Sequence, residues 1–168
     1  MRRYTRSWDE ICKLLDDAVN YYFGANDSDA VHAIQSIGVL NEKIIGIVLK
    51  QFLVMSHENN DTTQNQRMKL DDLRVYERWY HNQTQKIRSE SATDEEREKW
   101  ERYGMLFQHI PNLYDLVNAE RVYRNLVSHV IEPNLGKEDA KLAIIIMMRI
   151  IDGLECSPLK EALFADEQ

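Results

Sequence analysis

Three prolines, at positions 111, 133 and 158, and six glycines are all the backbone punctuation that 168 residues contain. A turn-rich β architecture needs far more of both, so a chain like this is built for long uninterrupted helices. Apolar residues recur at helical spacing between the breaks. Trp8, Ile11, Cys12, Leu15, Ala18, Val19 and Tyr22 follow the capping-box pattern Ser7-Trp8-Asp9-Glu10 and stop at Gly24. Cys12, on that stripe, is expected to be a small buried hydrophobe.

A second helix is expected from Asp27 or Ser28 to about His57, with Gly38 and Gly46 as weak points that a close helix crossing would offset. The polar stretch 58–66 reads as a loop. A third helix spans about Lys69 to Arg88, with Leu70, Leu73, Tyr76, Tyr80 and Ile87 on one side. Thr93-Asp94-Glu95-Glu96 is a second capping box, opening a charged helix that turns Trp100, Tyr103 and Phe107 inward. Pro111-Asn112 breaks the chain, and a fifth helix runs from about Leu113 to Val130. The sixth, about Lys137 to Glu155, is apolar nearly all round at Leu142 to Ile151, which predicts burial on more than one side or a place in a subunit interface. Ser157-Pro158 caps a short final helix. The expectation is one all-α domain over residues 1–168, a bundle of about six to seven helices without an internal linker.

Charge and cysteine content exclude several function classes. A formal net charge of −7 argues against broad contact with nucleic acid, so chemistry of that kind must sit in a local cationic pocket. Two cysteines, Cys12 and Cys156, supply neither a disulfide framework nor a thiolate metal site. The basic start has no apolar stretch behind it, and the apolar run 142–151 is too short for a bilayer, so no membrane partner is expected and the cytoplasm is the default location. His32, His57, His81 and His109 lack metal-ligand spacing, so no metal and no cofactor is expected. Asp16-Asp17 and Asp71-Asp72 read as solvated faces or caps, and Trp79-Tyr80-His81 as packing.

One segment speaks to function: Arg124-Asn125-Leu126-Val127-Ser128-His129. On an ideal helix Arg124 and His129 lie roughly 7 Å apart along the axis and about 140° around it. Asn125, four residues before His129, is placed to orient the imidazole, and the helix C-terminus favours its protonated form. A cation, an amide and a titratable base suit phosphodiester cleavage: a proton is moved at the 2′-hydroxyl or the leaving oxygen, and a guanidinium offsets the growing phosphorane charge. Arg121 adds positive charge beside the motif. Arg149, alone in the apolar sixth helix, needs a phosphate or a carboxylate as partner and is a second candidate for substrate binding. The structural alternative for the motif is an ion pair between Arg124 and Glu120 with His129 as a helix cap.

The motif resembles the R-N-x-x-x-H signature of HEPN domains, α-helical bundles of which many are metal-independent ribonucleases of toxin–antitoxin, abortive-infection and CRISPR systems. The resemblance implies that Arg124 and His129 are catalytic and that Asn125 is the polar residue following the arginine. It implies a homodimer with a composite site, an RNA substrate, and an antitoxin or effector protein as partner. Ile131 stands where some toxins of the family carry a tyrosine that a partner enzyme modifies. Two other readings remain open: a non-catalytic HEPN-like module that binds a partner protein or nucleotide, and a helical-bundle adaptor.

Overall fold

The computed structural model describes residues 6–24, 26–58, 70–129 and 135–157, without the side chains of Arg6, Ser7, Asp27, Ser56, His57, Glu58, Ser128 and His129. Among the described residues there are seven helices and no strand: α1 (Arg6–Tyr22), α2 (Asp27–Glu58), α3 (Leu70–Arg88), α4 (Asp94–Tyr103), α5 (Met105–His109), α6 (Leu113–His129) and α7 (Lys137–Cys156). The all-α expectation is met. The stretch 59–69, Ile131 and the final helix expected after Ser157 lie outside the described residues.

The central helix is α2, not the apolar α7. It packs along α1, α6 and α7, and α7 also touches α1 and α6, which makes a four-helix core. Ile34, Ile37, Leu40 and Ile44 of α2 are buried there against Val117 of α6 and Ala143, Met147 and Ile150 of α7. Helix α7 buries one face only; Leu142, Ile145 and Met148 on its outer side are 49%, 52% and 52% exposed. Cys12, expected in the core, is exposed, because the buried stripe of α1 runs through Ile11 and Ala18 instead.

Helices α3, α4 and α5 form a cap on this core. Their seam is aromatic: Tyr76 stacks on Phe52 of α2 at 5.0 Å and meets Phe107 edge-on at 4.9 Å, while Tyr80 stacks between Trp100 and Phe107. Buried polar tips are satisfied, since the Tyr76 hydroxyl donates to the Tyr103 carbonyl and the Trp100 indole N–H to Thr84 Oγ1. Thr93 and Glu96 form the capping box expected of them. The charged helix it opens is broken at Gly104, where a Cβ would fall 2.5 Å from the Trp100 carbonyl oxygen and 2.9 Å from Tyr80 Cδ2. The first expected capping box rests on the Ser7 side chain, which lies outside the described part; Glu10 accepts from Lys43 of α2 at 3.0 Å.

The cap fixes the start of the motif helix. Glu77 of α3 accepts the otherwise unpaired Tyr114 N–H at 3.2 Å, and Arg74 sits 5.8 Å over the Tyr114 ring. Burial raises the Glu77 carboxyl above its ordinary value, a rise opposed by that N–H and by His81.

Candidate functional site

Helix α6 turns one stripe, Leu113, Val117, Glu120 and Arg124, toward α2, with spacings of four, three and four residues. Two contacts fix how it lies there. Asn41 Nδ2 donates to the Val117 carbonyl at 3.0 Å, and the stem of Arg124 lies on Gly38. A Cβ at Gly38 would sit 2.8 Å from Arg124 Cγ and 2.9 Å from Cδ, so glycine makes this close approach possible. The expected crossing at Gly38 is therefore present. Gly46 has no such role, since a Cβ there would meet nothing within 4 Å.

Where the two helices part, a groove of about 550 Å³ opens. Its α2 wall includes Asn41, Glu42, Ile45, Gly46 and Leu49; its α6 wall is Arg121, Arg124 and Asn125, with Leu70 and Asp71 of α3 at one side. That volume lies within the range of small-molecule sites, about 300–1,000 Å³. The structure thus brings together three of the five residues singled out from the sequence. His129 is the last residue of α6, and its side chain is outside the described part. Arg149 is not in this groove. It lies exposed on α7 and donates to the His109 carbonyl at 3.2 Å, so a backbone oxygen supplies the partner expected from a phosphate or carboxylate.

The pairing of Arg124 corrects the sequence reading. Its guanidinium meets Glu42 of α2, not Glu120. Glu120 instead points into the four-helix core, 1% exposed, with no hydrogen-bond partner for either carboxylate oxygen among the described residues. Burial pushes its pKa from the ordinary 4.5 up to about 8, so it is largely neutral at pH 7. Asn41, 2% exposed, likewise has an unpartnered Oδ1. Two residues that shape the site, Glu42 and Asn41, were missed in the sequence. Glu120 had a readable signal: a carboxylate on the buried stripe between Val117 and Arg124. Among the described residues no three His, Cys, Asp or Glu side chains group as a metal site requires, and no helix is long and apolar enough to cross a membrane.

Comparison with known proteins adds no relative: no family model matches the chain, nor does any curated protein or solved structure.

Proposed function

We propose that this protein is a metal-independent endoribonuclease with an HEPN-like fold, acting as a homodimer with a composite site and belonging to a prokaryotic toxin–antitoxin or phage-defence module. The observation that carries the reading is the groove beside the motif helix. Asn125 and two arginines stand on one wall of it, on the helix that ends with His129. In the proposed reaction the 2′-oxygen attacks phosphorus and the bond to the 5′-oxygen breaks, leaving a cyclic phosphate and a free 5′-hydroxyl. His129 takes the first proton or supplies the second, and Asn125 orients its ring. The resemblance gives Arg124 the task of offsetting the phosphorane charge, and Glu42 competes with any phosphate for that guanidinium. The exposed ridge Leu142, Ile145 and Met148 is the surface we assign to the dimer contact.

A net charge of −7 and the neutralised Arg124 favour a second reading, a non-catalytic module that binds a partner protein or nucleotide. The deciding experiment is incubation of total RNA and a tRNA pool with the wild type and His129→Ala in EDTA. The ribonuclease reading expects cleavage by the wild type alone. Equal products, or none, from two folded proteins would leave the binding module standing.

A further inference from the structure

Helix α2 presents two rows to the groove, each stepping by four residues: Gly38, Glu42 and Gly46 in one, Asn41, Ile45 and Leu49 in the other. The second row is the deeper, with Asn41 and Leu49 buried. Glycine inside a helix is destabilising relative to alanine. At Gly38 the close approach of Arg124 accounts for it, whereas no packing does at Gly46, because a Cβ there would meet nothing within 4 Å. What Gly46 provides is empty width in the groove wall, beside the apolar surface of Ile45 and Leu49 and with Leu70 of α3 at the side. The polar groups on this side are acceptors. Asn41 Nδ2 is committed to the Val117 carbonyl, which leaves Oδ1 as the end without a partner among the described residues. A buried acceptor in that state gains from any donor that reaches it. Asp71 is a second acceptor, exposed at the α3 side. The cations stand on the α6 wall, and Glu42, which meets the Arg124 guanidinium, is one turn, about 6 Å of axis, from Gly46. The groove therefore offers an anion-binding end and, one ribose away, a flat apolar slot lined with acceptors.

We infer that the groove is a base subsite that selects guanine. The ring lies in the width left by Gly46, against Ile45, Leu49 and Leu70, and its N–H edge meets Asn41 Oδ1 and Asp71. The phosphate of the same nucleotide faces Arg124 and Arg121. The inference rests on the ribonuclease reading, which gives Arg124 its phosphate, and adds to it a preference for the base beside the cut. Guanine is the base whose pairing edge offers two adjacent donors, N1–H and the 2-amino group. Adenine and cytosine set one amino group beside a ring acceptor. Uracil sets its single N–H between two carbonyls, which would face the Asn41 and Asp71 oxygens acceptor to acceptor.

The test is binding of labelled trinucleotides to the full chain in EDTA, read by fluorescence anisotropy. The probes carry guanine, hypoxanthine, adenine, cytosine or uracil between two uracils. All are 2′-fluoro, so they lack the attacking hydroxyl and stay intact. Guanine is expected to bind tightest and uracil weakest. Hypoxanthine, which is guanine without the 2-amino group, should bind about fivefold more weakly than guanine, the worth of one hydrogen bond. Gly46→Leu fills the slot with a good helix former, so it should bring the guanine-to-uracil ratio close to one without lowering the melting temperature. Equal affinity of the wild type for guanine, hypoxanthine and uracil overturns the subsite, as does a folded Gly46→Leu that keeps the preference. Cleavage in EDTA by the wild type and not by His129→Ala, with no guanine preference at the cut, overturns the subsite and leaves the ribonuclease reading standing. Guanine-selective binding without cleavage of any RNA supports the subsite and overturns the ribonuclease reading.

Discussion

Glu120 is the residue whose setting has the clearest consequence for stability. A carboxyl with no hydrogen-bond partner is tolerable in an apolar core only while it keeps its proton. Its folded pKa, about 8, exceeds the ordinary 4.5, so the folded chain binds more protons than the unfolded one between those values. Stability from this group is therefore complete below about pH 4.5 and falls as pH rises toward 8, by up to about 1.4 kcal/mol per unit. Glu120→Gln should flatten that fall. Urea unfolding of both proteins at pH 5, 6.5 and 8 measures it, and parallel curves would show that the carboxyl is already solvated or paired. Arg124 illustrates the opposite case. Its charge is half in water, so its ion pair with Glu42 contributes little by Coulomb attraction, and its contribution to stability lies in the stem packed against Gly38.

At the scale of elements, the two glycines of α2 behave as different residues. Gly38→Ala drives a methyl into the Arg124 stem and should cost about 1–3 kcal/mol, while Gly46→Ala gains helix propensity in open space and should add about 0.5–1 kcal/mol. Opposite shifts of the unfolding midpoint are the expected result; a loss in both would mean that the groove wall at Gly46 has no room for a methyl. The sequence alone made the helices legible, because period and punctuation are local: the Thr93 capping box, the α3 stripe through Tyr76 and Tyr80, and the ends of α6 and α7 all follow from neighbours within a few residues. It also put Arg121, Arg124 and Asn125 in one region, since they share two turns of α6. Long-range packing decided the rest. Glu120 and Arg124 have good spacing for an ion pair, yet the crossing at Gly38 rotates α6 so that one is buried and the other faces Glu42. For the same reason Cys12, one residue from fully buried Ile11, ends on the outside.

For the molecule as a whole, the ridge Leu142, Ile145 and Met148 is costly to leave in water, and its burial in a second copy is what the homodimer reading demands. Ile145→Asp should halve the mass seen by light scattering without loss of helix content; a wild type that is already monomeric, or a variant that still dimerises, removes this ridge from the interface. The hydrogen bond from Asn41 to Val117 joins residues 76 positions apart, and the groove exists only where those distant parts of the chain meet. The cap, by contrast, closes over shorter separations, such as the 16 residues between Thr84 and Trp100. Local closures carry the smaller entropic cost and tend to come early, so the α2–α6 seam is expected to form after the cap. During synthesis, α2 leaves the ribosome with its Asn41 and Glu42 unmatched, and a chain interrupted before Arg121 has half a groove and none of the motif.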